Sequence, residues 1–163
     1  MAAGVPECLS PRRHRGCASR RGSQRDFRCY FEGESAVHAR SVDDICAWLL
    51  ECTYVTDPAH FDEADMWQHP RTFEQVRRGD CADYALWAWR KLAELGVEAE
   101  LVSGQRIVSE QESHAHAWVL FRNGDVEYVL EAVSRSREAM VLPVEHVRAE
   151  YRPHVGVNAQ WGN

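Results

Sequence analysis

The sequence contains no apolar run long enough to cross a bilayer. Its longest uninterrupted apolar stretches, such as residues 45–50, fall far short of the roughly 20 residues that a transmembrane helix needs. The first 28 residues also lack the continuous stretch of about 7 to 15 apolar residues that a secretory signal requires. We therefore expect a cytoplasmic protein that makes no contact with a membrane.

Glycine and proline are scarce as well, with ten and six residues among 163. This composition excludes a collagen-like chain, and 45% apolar residues with 27% charged residues exclude a wholly disordered one. The length is typical of a single compact domain. We therefore expect one globular domain with its own apolar core.

Lysine is almost absent, since Lys91 is the one lysine among 19 basic residues. Seven arginines fall within residues 1–28, which contain two acidic residues, whereas the rest of the chain is acidic. A segment this polar cannot bury enough apolar area to fold. The pattern predicts a disordered arginine-rich arm over residues 1–35 that binds no nucleic acid, and a domain over residues 36–163. An alternative is a start codon assigned too early, with upstream sequence read as protein.

No two of the six cysteines have the two-residue spacing that is usual in zinc sites. A chain of this length builds a core without disulfide bonds, and the expected compartment is reducing. We therefore predict free cysteines and no structural metal.

Two stretches have the periodicity of amphipathic helices. Ser41 and Asp44 form a capping pattern ahead of the first. The second begins at Cys81 and ends before Gly96, a usual helix stop. Free N–H groups and the positive end of the helix dipole favour a thiolate at this N-terminus, which would make Cys81 reactive. The alternative is that Cys81 only begins the buried stripe of the helix.

The remaining segments have weaker patterns. Residues 97–102 and 105–108 are typical of two short strands around a glycine, residues 143–150 of a short helix, and residues 151–158 of a final strand. Residues 54–71 are irregular and acidic, and a loop of this length often forms the wall of a functional site.

The dipeptide NG at residues 123–124 stands between two alternating apolar runs, which is the strongest short-range signal of a two-residue β-hairpin. With this dipeptide as the loop, one face of the hairpin is apolar and the other has His116 directly opposite Glu131. Opposed Cβ atoms lie about 4.5 to 5.5 Å apart, so the carboxylate can hold the imidazole. Two alternatives are an ordinary ion pair and a metal site formed by His114 and His116 beside Cys81.

Three segments together resemble the transglutaminase-like superfamily, and within it the bacterial transglutaminase-like cysteine peptidases. They are DMWQHPRTFEQVRRGDCADYALWAWRKLAELGVEAELVSG, then HAHAWVLF, then EYVLEAV. The resemblance covers residues 41–131 and, more loosely, the tail to residue 161. In that family a GDCxD motif supplies the nucleophile at a helix start, a strand with HAW supplies the base, and the next strand supplies an acid, usually Asp. The matching residues here are Cys81, His116 and Glu131, with Glu in place of Asp.

The resemblance implies an α+β fold, in which the cysteine-bearing helix packs on an antiparallel β-sheet as in papain-like and transglutaminase-like enzymes. It also implies acyl transfer, in which a thiolate attacks an amide or ester carbonyl and an imidazole protonates the leaving group. The expected activity is that of a cysteine peptidase or other amide hydrolase acting on a peptide or protein. Two alternatives are amine transfer, as in transglutaminases, and a catalytically idle domain that binds partners.

This chemistry requires an oxyanion hole. The backbone N–H of Cys81 is the first candidate donor. The side chain of Gln68 or the indole N–H of Trp67 is the candidate for the second.

Calcium-dependent relatives resemble GDCED, whereas here Ala82 replaces the glutamate after the cysteine. Asp80 and Asp83 are the remaining calcium candidates. Because calcium takes six to eight oxygen ligands, we expect these aspartates to complement the helix dipole instead, and the protein to need no cofactor.

Overall fold

The computed structural model describes residues 27–56 and 67–158. No helix within these ranges has both the length and the apolar character that a membrane span requires. The α-helices of the described residues are α1 (Val42–Leu50), α2 (Pro70–Val76), α3 (Cys81–Glu94) and α4 (Val144–Val147). Short 3-10 turns occupy Phe27–Phe31, Arg137–Ala139 and Arg148–Glu150.

The strands form a two-stranded parallel pair and a five-stranded antiparallel sheet. The pair consists of β1 (Thr53–Tyr54) and β2 (Arg78–Gly79). The sheet consists of β3 (Ala99–Ser109), β4 (Glu112–Asn123), β5 (Val126–Leu130), β6 (Val141–Pro143) and β7 (Tyr151–Asn158), in the order β6-β5-β4-β3-β7. This architecture confirms the predicted α+β class and the last helix and strand. The two short strands predicted around the glycine form one continuous strand, β3.

Local side-chain chemistry locates the ends of the helices. The hydroxyl of Ser41 accepts the N–H of Asp44 at 3.1 Å ahead of α1, as the capping pattern predicts. Helix α2 begins at Pro70, where a missing N–H breaks no helical hydrogen bond. Gly96 follows α3 with a φ of +74°, a left-handed conformation that favours glycine. The predicted start of α1 and stop of α3 are confirmed.

One apolar core lies between the helices and one face of the sheet, and α3 is at its centre. Trp87 and Trp89 of α3 are fully buried. The Trp87 ring stacks on Trp48 of α1 with 4.1 Å between centroids, and its indole N–H donates to Glu74 at 3.0 Å. Glu74 also pairs at 3.2 Å with the buried side chain of Lys91. Burial of these two charges is tolerated because they are paired. Apolar and ionic contacts therefore both hold α3 in position.

The loop of the β4–β5 hairpin differs from the predicted one. Asn123 pairs with Val126, so the loop consists of Gly124 and Asp125 rather than residues 123–124. Gly124 has a φ of +62°. A two-residue loop with glycine at its first position forms a type II′ turn, which explains why the loop begins at the glycine.

This change of loop shifts every pair of the hairpin by two positions. If the observed register is continued one residue beyond β5, Glu131 lies directly opposite Trp118 and diagonal to His116. A shift of two preserves the alternation of side chains, so the predicted faces are confirmed. The apolar face joins the main core, while the face of His116 covers a second, smaller cluster formed by Val102, Trp118, Val129 and Val147.

Residues 27–35 pack against the domain, which corrects the predicted boundary of the arm at residue 35. Phe27 and Tyr30 are buried in the core, and Arg90 of α3 donates to the carbonyl oxygen of Tyr30 at 3.1 Å. A short 3-10 turn held by contacts with a distant helix has no periodicity of its own, so the sequence pattern did not reveal it. Residues 1–26, the rest of the predicted arm, lie outside the described residues.

The cysteines also depart from expectation at one position, because Cys29 is disulfide-bonded. Cys46, Cys52 and Cys81 are free, and the first two are buried as small apolar side chains. A chain of this length does not need a disulfide bond to build its core, but it can still contain one. The cytoplasmic location stays a prediction.

Gly104 of β3 faces the backbone of β7, and this close approach generates a stability prediction. A Cβ at this position would collide with the carbonyl oxygen of Arg152 and lie 2.9 Å from the Cα of Pro153. We expect Gly104→Ala to lower the free energy of unfolding by about 1–3 kcal/mol, the usual effect of overpacking. Urea unfolding measures this change, with Ser103→Ala on the same strand as the control. Equal urea midpoints for the two variants would contradict the close approach.

Candidate functional site

Cys81 lies at the first position of α3, as its sequence context predicts. Asp80 caps this helix, since its Oδ1 accepts the N–H of Ala82 at 3.0 Å and that of Asp83 at 3.3 Å. The Asp83 carboxylate accepts the N–H of Asp80 at 3.1 Å and completes a capping box. No hydrogen bond joins the N–H of Cys81 to another of the described residues.

Asp83 is buried and joins the start of α3 to the segment before α2. Its two oxygens accept the backbone N–H of Gln68 at 2.7 Å and the side-chain amide of Gln68 at 2.8 Å. Burial, together with the charge of Asp80, raises the pKa of Asp83 well above its usual value in spite of these hydrogen bonds. The contacts fix the helix turn that presents the Cys81 thiol.

His116 on β4 is hydrogen-bonded to Glu131, which follows β5 directly. The Nε2 atom of His116 lies 2.8 Å from Oε1 and 2.9 Å from Oε2 of Glu131. The predicted contact is present although the two residues are not directly opposed, because a glutamate side chain is long enough to reach a diagonal neighbour. Since Glu131 occupies Nε2, Nδ1 is the ring nitrogen that this contact leaves open.

Two further strands hold the carboxylate of Glu131. The Tyr151 hydroxyl of β7 donates to Oε2 at 2.7 Å, and the Arg106 guanidinium of β3 donates to the same oxygen at 2.9 Å. Arg106 also donates to Glu150 at 3.1 Å. Burial raises the pKa of Glu131, but the hydrogen bonds and charges of His116, Tyr151 and Arg106 outweigh it and lower the pKa below its usual value. Glu131 is therefore a buried carboxylate that stays ionised.

Cys81 and His116 line one cleft of about 630 Å³. The backbone N–H of Ala117, the residue after His116, lies near enough to the Cys81 sulfur to lower the pKa of the thiol. The strand that carries the imidazole therefore passes beside the thiol. Tyr54, at the start of the loop predicted to form a wall, lines the same cleft, whereas residues 57–66 of that loop lie outside the described residues.

The surroundings of Cys81 oppose an isolated thiolate. Burial, followed by the charges of three carboxylates of which Asp80 is the strongest, raises the pKa of the thiol to about 12, and the N–H of Ala117 offsets part of this effect. The helix dipole favours a thiolate, as predicted, but the carboxylates that the fold brings together act against it. At neutral pH the isolated thiol of Cys81 is therefore protonated.

The two candidate side chains for the second oxyanion donor differ in their contacts. Gln68 is buried rather than solvated, and its Nε2 donates to the carbonyl oxygen of Arg78 at 2.7 Å as well as to the buried carboxylate of Asp83. Both of its amide hydrogens thus support the start of α3. The Trp67 ring packs edge-on against Phe27 with 5.8 Å between centroids. The oxyanion role of Gln68 and Trp67 stays a prediction.

The candidate metal ligands are engaged in other contacts. Among the described residues, no group of three or more His, Cys, Asp or Glu side chains is arranged to hold a metal ion. His114 is exposed and contacts Glu112 at 2.8 Å. Asp80 and Asp83 accept hydrogen bonds from backbone N–H groups around the start of α3. This arrangement does not fit a calcium ion.

Arg106 and Tyr151, which both donate to Glu131, were not among the predicted site residues. The alternation of β3 places Arg106 on the same face as His116 only in the observed register of β3 with β4, which local patterns did not predict. The position of Tyr151 likewise depends on the pairing of β7 with β3, in which Arg106 and Tyr151 are direct partners. No local sequence pattern indicates that two strands this far apart in the chain will pair.

Comparisons with known proteins bear on the fold. A family model described as bacterial transglutaminase-like cysteine proteinase matches residues 11–151, and the match begins within the predicted arm. Calcium-bound LapG from Legionella pneumophila has a similar structure, with a TM-score of 0.55, 19% identity, and coverage of 73% of this chain and 64% of that chain. For EGTA-treated LapG the TM-score is 0.55 and the identity 20%, with coverage of 72% and 62%.

The chain therefore spans less than two thirds of the length of these two solved structures. At such low identity the likeness shows a shared fold, and it agrees with the transglutaminase-like architecture that the sequence predicts. No curated protein matches the chain.

The contact between Tyr151 and Glu131 generates a prediction about pH and stability. We expect Tyr151→Phe to lower the free energy of unfolding at pH 7 by about 1.5–3 kcal/mol, the usual range for a hydrogen bond to a charged group. The folded-state pKa of Glu131 is lowered from 4.5. The ionised carboxylate therefore stabilises the fold above that pH, and this stabilisation is lost as the pH falls through the folded-state value.

Urea unfolding from pH 7 to pH 3 measures the difference between Tyr151→Phe and the wild type, which should shrink at the acid end. Tyr128→Phe, on the opposite face of the same sheet, is the matched control, and its effect should not vary with pH. An effect of Tyr151→Phe that is constant over the whole range would contradict an ionised Glu131.

Proposed function

The chain belongs to the bacterial transglutaminase-like cysteine proteinases, and we propose that it hydrolyses peptide bonds with Cys81 as nucleophile, His116 as base and acid, and Glu131 as the orienting acid. The observation that carries this proposal is that Cys81 and His116 line the same cleft and that His116 is hydrogen-bonded to the buried Glu131. The proposed substrate is a peptide or an unfolded segment of a protein.

The first step is transfer of the thiol proton from Cys81 to Nδ1 of His116. The hydrogen bond from Nε2 to Glu131 keeps the ring in one orientation, and the negative charge of the carboxylate stabilises the imidazolium that forms. Because the surroundings raise the pKa of the isolated thiol to about 12, the thiolate and the imidazolium form together as an ion pair.

The thiolate then attacks the carbonyl carbon of the substrate, and the negative charge moves to the carbonyl oxygen. The N–H of Cys81 and the N-terminal end of the α3 dipole stabilise this oxyanion. The C–N bond breaks as the imidazolium of His116 gives its proton to the leaving amine, and a thioester to Cys81 remains. Water, losing a proton to the imidazole, hydrolyses the thioester and restores the thiol.

The dependence of Cys81 on His116 is directly testable. We expect His116→Gln to slow alkylation of Cys81 by iodoacetamide at pH 7 by at least about tenfold, because a thiol without a proton acceptor is mostly protonated at that pH. Burial and the nearby carboxylates, which raise the pKa of the thiol, are not removed by this substitution. Mass spectrometry of the Cys81 peptide measures the rate. His114→Gln changes an exposed histidine of the same strand and should react like the wild type.

Hydrolysis is measured on denatured casein, which wild type should cleave and Cys81→Ala should not. A labelled primary amine in the same assay distinguishes hydrolysis from amine transfer, because amine transfer leaves the label on glutamine side chains. Equal alkylation rates of wild type and His116→Gln, both following an ordinary thiol pKa near 8.5, would contradict the proposal and favour an idle binding domain.

For calcium we expect no requirement in this chain, although the similar LapG structures are described as calcium-bound and EGTA-treated. Asp83 is buried beneath three N–H donors, and Ala82 supplies no side-chain oxygen. Added calcium chloride and EGTA should leave both the unfolding temperature and the alkylation rate of Cys81 unchanged. A calcium-dependent rise in unfolding temperature, reversed by EGTA, would show this expectation to be wrong.

A further inference from the structure

Strand β4 is longer than its neighbour β5, and the difference leaves part of one side of β4 open. On one side β4 pairs with β3 from Glu112 to Phe121. On the other side β5 pairs with β4 from Val119 to Asn123. In the part of the chain that the structure describes, no strand pairs with positions 112–118 on this second side. We refer to positions 113–117 of this side as the β4 edge.

The backbone groups of alternate residues point toward the β4 edge. The N–H of Arg122 donates to the carbonyl oxygen of Glu98 at 3.0 Å, on the side of β3. Because this direction alternates along an antiparallel strand, the N–H and C=O groups of residues 113, 115 and 117 point away from β3. The register from position 113 to position 121 is regular, so the alternation is not interrupted. Ser113 and Ala115, both exposed, therefore present hydrogen-bonding groups at the open edge.

The β4 edge ends at the proposed nucleophile. Ala115 lines the same cleft as Cys81, and the N–H of Ala117 is near enough to the sulfur to lower the pKa of the thiol. Strand β5 ends close to this level, since it pairs with β4 only as far as Leu130, and a turn follows in which the N–H of Ser134 donates to the carbonyl oxygen of Glu131 at 3.1 Å. An extended segment placed in line with β5 would run from the thiol along Ala115 and Ser113.

We propose that the substrate peptide binds as an added β-strand on the β4 edge, with main-chain hydrogen bonds to Ser113 and Ala115 that place its scissile bond beside Cys81. This inference rests on the proposed hydrolytic function and specifies the form in which the substrate is recognised. Strand addition requires open N–H and C=O groups at alternate positions, which the β4 edge supplies. The substrate class is therefore an extended segment with free backbone groups, rather than a folded surface.

The test uses a fluorescein-labelled peptide of alternating threonine and valine with a lysine at each end, chosen for its strand propensity. Binding to the Cys81→Ala protein, which cannot cleave the peptide, is followed by fluorescence polarisation. We expect saturable binding. Methylation of alternate backbone nitrogens of the peptide should weaken it by at least about tenfold, because several main-chain hydrogen bonds are lost together.

The protein side is tested by Ser113→Pro in the Cys81→Ala background. Proline removes one N–H from the β4 edge without removing a hydrogen bond to β3, and it is tolerated at strand edges. Loss of one hydrogen bond should weaken peptide binding by about fivefold. The matched variant Ser113→Ala keeps the N–H and should bind like the parent. Equal urea midpoints show that both variants are folded.

Absence of peptide binding, or equal binding of the methylated and unmethylated peptides, would overturn the proposal. A dimer that Ser113→Pro dissociates in sedimentation, combined with absent peptide binding, would overturn it as well and would assign the β4 edge to a second copy of the chain. These results leave the hydrolytic function untouched, because alkylation of wild type and His116→Gln decides that separately.

Discussion

The ionised carboxylate of Glu131 is the group on which the arrangement of the site depends. It is almost inaccessible to water, and a buried charge is tolerated only when neighbouring groups pair with it. Three neighbours do so from three strands: His116 from β4, Arg106 from β3 and Tyr151 from β7. The carboxylate thus connects β3, β4 and β7 at the end of β5. Its hydrogen bond also orients the imidazole of His116.

The negative charges around Cys81 oppose ionisation of its thiol. Asp80 is needed to cap α3, yet its charge, like that of Glu131, raises the pKa of the Cys81 thiol. The dipole of α3 and the N–H of Ala117 act in the opposite direction. Helix capping and thiol reactivity therefore compete within one helix turn. The raising effects are the larger, so the isolated thiol is protonated at neutral pH.

The features predicted correctly are those that depend on residues close together in the chain. Capping side chains and a glycine stop located α1 and α3, because the groups they satisfy are adjacent in the chain. Alternation assigned the faces of the β4–β5 hairpin even though the loop was placed one residue too early, since the pairing then shifts by two and parity is preserved. The contact of His116 with Glu131 tolerated this error because the glutamate side chain reaches diagonally across the hairpin.

The amino-acid sequence by itself determined the α+β class, a cysteine at a helix start, and a histidine and an acid on neighbouring strands. The tertiary structure alone decided that Arg106 and Tyr151 hold Glu131, that residues 27–35 pack against α3, and that the pKa of Cys81 is raised. These features depend on burial and on charges brought together by elements far apart in the chain. Local sequence patterns do not encode these contacts and charges, because they result from how the strands pair and how the helices pack on them.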